Sequence, residues 1–145
     1  MNGLLSWKTK HTLKWRIFRL KIIAVTLGEP AGIGPDLGVL LAQKNLSKNI
    51  IFIADPDLLQ ISAKILKKSI KINILKNISS KTIAGNKTIN VLPIKLNTKN
   101  KPGKLNPKNS AYVLDTIRAA AELCITGEIG AMVTGPISKS VLNKG

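Results

Sequence analysis

Five carboxylates, Glu29, Asp36, Asp55, Asp57 and Asp115, stand mainly at strand ends and helix starts. A carboxylate there either moves a proton in a cleft or caps a helix, and capping is the default. Glu29 and Asp55 follow neighbouring apolar runs, so these two could share one cleft. The second feature is the corner GEPAGIGPDLG (Gly28 to Gly38), which joins an apolar run to a helical pattern. A dinucleotide fingerprint, G-x-G-x-x-G, would set helix N–H groups against a pyrophosphate. Here Gly38 comes one residue too late after Gly32 and Gly34. Pro35 removes a donor, and Asp36 puts negative charge where the phosphate would arrive. The spacing therefore predicts a tight strand-to-helix turn that needs glycine backbone angles.

Other constellations are weaker. Gly130 to Gly135 has the glycine spacing of a P-loop, with Pro136 in the place of its lysine. Ser138, Lys139 and Ser140 offer two hydroxyls and an amine at a helix start, a set that fits an anion or plain capping. His11 is the only histidine, so no Ser-His-Asp arrangement can be assembled. The single Cys124 excludes an internal disulfide and a cysteine metal cluster, and reads as a small buried hydrophobe.

The elements that would position these residues alternate. Ile22 to Leu27 and Ile50 to Asp55 read as buried strands, each a short β-branched run. Between them a helix opens at Pro35, with Asp36 in its first turn and apolar residues at Leu37, Leu40 and Leu41. Pro56 to Lys68 forms a second helix, and Ile70 to Leu75 a strand near an edge. Thr88 to Leu96 forms a further strand, which Pro93 assigns to an edge. Asn109 to Gly127 is the clearest helix: Asn109 or Ser110 caps it, Val113, Ile117, Ala120, Ala121 and Cys124 share one face, and Gly127 closes it. Ile129 to Pro136 returns as a buried strand, and another helix starts at Ile137. The order predicts an α/β fold with a parallel, doubly wound sheet.

Composition narrows the partners. The net charge of +16 would suggest nucleic acid or an anionic membrane, but only Arg16, Arg19 and Arg118 among the 23 basic residues are arginine. Lys, Ile and Asn make up 52 of the 145 residues, which points to A/T-rich coding as the source of much of the charge. Aromatics are 3%, too few for a stacking platform. No residue between Asp57 and Asp115 is acidic, and Lys99, Lys101, Lys104 and Lys108 read as a solvated basic loop, with an anion site as the other reading. Residues 1–20 stand apart as a basic, acid-free extension holding His11 and both tryptophans. Its readings are an upstream extension, a transit-like segment or a membrane-surface helix.

GEPAGIGPDL, taken with NSAYVLDTIRAAAELCITGEIGAMVTGPISKSVLNK, closely resembles the 4-hydroxythreonine-4-phosphate dehydrogenase family of vitamin B6 biosynthesis. The resemblance spans residues 21–145 and implies the isocitrate/isopropylmalate dehydrogenase-like fold, here incomplete. It also implies NAD-dependent oxidation of 4-phosphohydroxy-L-threonine to a β-keto acid, which decarboxylates to 3-amino-2-oxopropyl phosphate. In that fold the cofactor does not sit on a Rossmann fingerprint, so a glycine corner that fails that test is compatible with NAD. The family further implies a divalent metal, a cytoplasmic homodimer, and a site in a cleft between two α/β domains. Its substrate-binding His-Thr pair and metal-binding histidines have no counterpart here, so no catalytic or metal residue carries over. Glu29, Thr134 and Lys139 remain as residues lining one wall of the cleft. The chain is expected to be an N-terminal portion, truncated and inactive alone. The alternatives are a basic protein that binds nucleic acid or membrane, and a half-enzyme completed by a second chain.

Overall fold

The computed structural model describes residues 22–46 and 48–143; the basic extension, with His11, lies outside the described residues. Four short β-branched or apolar runs form strands β1 (Ile23–Thr26), β2 (Ile50–Ala54), β4 (Thr88–Pro93) and β5 (Ala131–Thr134), with the alternating run β3 (Lys71–Ile74) between the second and third of these. They make one sheet in the order β3-β4-β2-β1-β5, and every pairing is parallel. Helices α1 (Gly34–Ala42), α2 (Pro56–Ile65), α3 (Ser110–Ile125) and the single turn α4 (Lys139–Leu142) complete the chain. The predicted parallel α/β sheet is the one observed.

The sheet is covered on both faces. Phe52 and Ala54 of β2 point to the side of α1 and α2 and pack with Leu27, Val39, Ala42, Leu59, Ile89 and Val91. Ile51 and Ile53, on the other side, pack with Ala24, Ala120 and Ile129 against α3. This period-two division is why β2 is apolar throughout: each alternate residue meets a different helical layer. From β1 to β2 the chain moves one way across the sheet with α1 on one face. From β4 to β5 it moves the opposite way with α3 on the other face. Right-handed crossovers demand this arrangement.

Two expectations are corrected. Pro93 does not make β4 an edge strand, because β4 lies between β3 and β2. The proline is the last residue of the strand, and the next amide, of Ile94, donates to Ala54 O at 3.1 Å, so the ladder loses little. Nor is β5 buried: it is the edge strand beside β1, with Val133 53% exposed. The edge position of β3 is as expected. On α1 the buried residues are Gly34, Pro35, Gly38, Val39 and Ala42, while Leu37, Leu40 and Leu41 face outward.

Candidate functional site at the carboxyl ends of the strands

The glycine corner follows β1, and its geometry explains its composition. Gly28 has φ +71°, and a Cβ there would lie 2.2 Å from Pro136 O. A Cβ on Gly34 would lie 1.6 Å from Leu27 O, and one on Gly135 2.5 Å from the same oxygen. The turns after β1 and β5 and the start of α1 thus meet backbone to backbone, a contact only glycine permits. Three of the corner's amides are already bonded to protein oxygens. Glu29 N–H donates to Pro136 O at 3.0 Å, Gly32 N–H to Glu29 O at 3.0 Å, and Ala31 N–H to Glu29 Oε1 at 3.2 Å. Asp36 occupies the first turn of α1, where it accepts from Ser62 Oγ on α2. The corner is a packed turn and does not form a phosphate cradle.

The structure places Glu29 beneath this turn, 4% exposed. Its Oε1 also accepts from Asn109 Nδ2 at 3.4 Å, and Asn109 Oδ1 accepts from Thr98 Oγ1. The ion pair seen among the described residues is Arg118–Asp115, on the exposed surface of α3, so Glu29 is a buried carboxylate with neutral partners there. Thr134 ends β5 in register with Thr26 of β1, and Lys139 starts α4; both are exposed. The Glu29–Pro136 bond ties the corner to the segment between them. Glu29, Thr134 and Lys139 therefore belong to the same end of the β1–β5 pair.

Asp55, at the end of β2, is used differently. Its Oδ1 accepts from Asp57 N–H at 2.7 Å, capping α2, and its Oδ2 accepts from Leu96 N–H at 2.7 Å. Its own N–H donates to Tyr112 Oη at 3.0 Å. Burial pushes the Tyr112 phenol up to about 12; the Asp55 charge adds to this, and the bond from the Asp55 amide opposes it. Asp55 thus locks the crossing from β4 towards α3, and the capping default describes it. Asp55 sits where β2 and its neighbour β4 send their connections to opposite faces, to α2 and α3 respectively. Parallel α/β sheets open a crevice at that position. Glu29 follows the adjacent β1, whose helix α1 shares the face of α2.

Two residues of this end were invisible to motif reasoning. Asn109 is fully buried and bridges Glu29 to Thr98, although its position suggested only a cap; its side chain makes no cap bond. Tyr112 carried no motif signal. Beside the corner, a small recess is lined by Pro30, Asp36, Ser62, Asn100 and Pro102, with Asn100 Nδ2 donating to Pro30 O at 2.8 Å. Lys99, Lys101, Lys104 and Lys108 are all exposed, as a solvated loop requires.

A divalent metal does not fit these residues. Among the described residues no three histidine, cysteine or carboxylate side chains converge. Asp55 is committed through both oxygens to two backbone amides, and Glu29 through Oε1 alone to an amide and an asparagine.

Residues 46–145 match the model of the family described as pyridoxal phosphate biosynthetic protein PdxA. The 4-hydroxythreonine-4-phosphate dehydrogenase of Saccharophagus degradans is 42% identical over 123 residues, covering 85% of this chain and 36% of its own. That of Methylococcus capsulatus is 40% identical over 124 residues, covering 84% of this chain and 37% of its own. The crystal structure of 4-hydroxythreonine-4-phosphate dehydrogenase from Klebsiella pneumoniae superposes with a TM-score of 0.76 at 27% identity, over 86% of this chain and 39% of that one. The chain spans a little over a third of the length of these relatives.

Proposed function

Because the chain belongs to the PdxA family, we propose that it supplies one wall of the active-site cleft of an NAD-dependent 4-hydroxythreonine-4-phosphate dehydrogenase, and has no activity alone. The observation that carries this reading is the buried Glu29. A carboxylate removed from water without a cation is costly, and a donor group from a bound ligand relieves that cost. The substrate, 4-phosphohydroxy-L-threonine, brings an ammonium group for Glu29 and a phosphate for an exposed lysine such as Lys139. Thr134 lines the floor between them.

In the complete enzyme, bound NAD would supply the hydride acceptor for oxidation of the C3 alcohol. The resulting β-keto acid loses CO₂ and leaves 3-amino-2-oxopropyl phosphate. This chain's own part is to bind and orient the substrate and to shield that end of the cleft from water. The residues present hold no metal, so no step is derived through one. A homodimer working in the cytoplasm completes the proposal. Among the described residues no helix is long and apolar enough to cross a membrane.

The test is a chimera in which the matching segment of the Saccharophagus degradans enzyme is replaced by Ile22–Asn143 of this chain. The chimera is expected to reduce NAD with the phosphorylated substrate. Glu29→Gln and Lys139→Ala within it are expected to raise KM at least tenfold. An active chimera whose KM ignores both substitutions refutes the assignment of this wall.

A further inference from the structure

We propose that Asn109 is a positioning residue, whose amide fixes the Glu29 carboxylate from within the protein and leaves its charge for the substrate's ammonium group. The inference rests on the role given to Glu29 above. Asn109 stands at the N-cap of α3, yet its side chain makes no cap bond and the residue is fully buried. Both ends of the amide are used sideways instead. Nδ2 donates to Glu29 Oε1 at 3.4 Å, and Oδ1 accepts from Thr98 Oγ1. A side-chain amide has one donor end and one acceptor end, so the hydroxyl of Thr98 decides which end faces Glu29. Ala31 N–H also donates to Oε1, at 3.2 Å, and among the described residues Oε2 has no donor. The connection between β4 and α3 grips the next two residues of the corner as well. Asn100 Nδ2 donates to Pro30 O at 2.8 Å, and Gly103 N–H to Ala31 O at 2.8 Å. Glu29, Pro30 and Ala31 are thus each held by this one connection.

The neutrality of the donor is informative. The chain carries a net charge of +16, and Lys99, Lys101, Lys104 and Lys108 all belong to the connection that holds the corner. A carboxylate whose task was only to brace the turn would be buried at least cost beside one of these cations. Yet the ion pair seen among the described residues is Arg118–Asp115, on the surface of α3. An ammonium or guanidinium against Glu29 would cancel its charge and compete with an incoming cation. An amide orients the oxygen and cancels nothing. One oxygen anchored by neutral donors beside one without a donor describes a carboxylate preorganised for a cationic group.

The experiment uses the chimera carrying Ile22–Asn143 and measures kcat and KM for Asn109→Leu, Glu29→Gln and the double variant. Leucine is close to asparagine in shape and removes both bonds without adding charge. Asn109→Leu is expected to raise KM about tenfold, the usual worth of a hydrogen bond to a charged group, with kcat within about twofold. In the Glu29→Gln background it should raise KM by less than about twofold, because a residue acting through Glu29 then has nothing left to position. Thr98→Val, at a half-buried residue, should raise KM about threefold by freeing the amide to turn, and should also lose its effect beside Glu29→Gln. Where turnover is too slow to fit, the substrate's dissociation constant from calorimetry takes the place of KM. Should Asn109→Leu fail to fold by circular dichroism, the Thr98→Val cycle decides the question. A purely structural Asn109 would multiply KM equally in both backgrounds or leave it unchanged. Either result, with Glu29→Gln keeping its own effect, overturns the proposal and leaves the proposed function standing. An unchanged KM in Glu29→Gln itself removes both.

Discussion

Replacing Gly34 by alanine separates helix propensity from backbone contact. Gly34 opens α1 and Gly38 lies inside it, so alanine gains about 1 kcal/mol of helix propensity at Gly38 and less at Gly34. At Gly38 the new Cβ meets the side-chain ends of Leu27 at 3.1 Å and Leu59 at 3.2 Å, which can give by a few tenths of an ångström. At Gly34 it meets Leu27 O at 1.6 Å and Leu27 C at 2.7 Å, atoms fixed by the end of β1. Restoring ordinary contact of about 3.5 Å requires the helix and strand end to part by roughly 2 Å. Overpacking against yielding side chains costs about 1–3 kcal/mol, and against backbone more. Gly38→Ala should therefore fall within about 1 kcal/mol of the parent. Gly34→Ala should lose at least ~3 kcal/mol, a large share of the 5–15 kcal/mol typical of a domain. Urea denaturation followed by circular dichroism reads both. Equal midpoints for the two variants would refute the account of the corner as a backbone-to-backbone turn.

Three further outcomes follow from the same geometry. Tyr112 keeps its proton up to about 12 in the folded chain and releases it near 10.0 when unfolded. Its contribution is therefore complete below about pH 10 and lost as pH rises through about 12, at most ~3 kcal/mol; Tyr112→Phe should remove that part of the pH dependence when the two denaturation series are compared. Asp55→Ala should cost about 2–3 kcal/mol by uncapping α2 and leaving Leu96 N–H without its acceptor, and Asp55→Asn, which keeps the cap oxygen, should cost less in the same urea series. Gly127→Ala, at φ +77° with no atom near its Cβ, should lose only the left-handed penalty of about 1–2 kcal/mol, while Gly28→Ala, at φ +71° and 2.2 Å from Pro136 O, should lose clearly more; thermal melts of the pair check this.

The layers of the fold were legible because most strands are short apolar runs and the longer helices carry proline or serine in their first two positions. The position of a strand in the sheet was not. Pro93 suggested an edge, yet a proline at the last residue of an interior strand removes almost nothing from the ladder. Ile129 to Pro136 looked buried because both sides of β5 are apolar, but the layer that would cover one side is not among the described residues. The same holds for Leu37, Leu40 and Leu41: their apolar character suggested a packed face, and all three are exposed. In the candidate site, Glu29, Thr134 and Lys139 were singled out through the corner and the β5 turn, two segments that the fold brings to one end of the sheet. Asn109 was legible only as a cap, since its bonds to Glu29 and Thr98 join residues far apart in sequence. Tyr112 was silent for the same reason: its hydroxyl serves an amide 57 residues away.

The most direct test of the central claim is NADH formation from 4-phosphohydroxy-L-threonine, with NAD and a divalent metal supplied. It would be measured first with this 145-residue chain alone and then with the chimera in which Ile22–Asn143 replaces the matching segment of the Saccharophagus degradans enzyme. The account predicts no NADH from the chain alone and sustained turnover from the chimera. Turnover by the chain alone, or a folded chimera that forms no NADH, would contradict it.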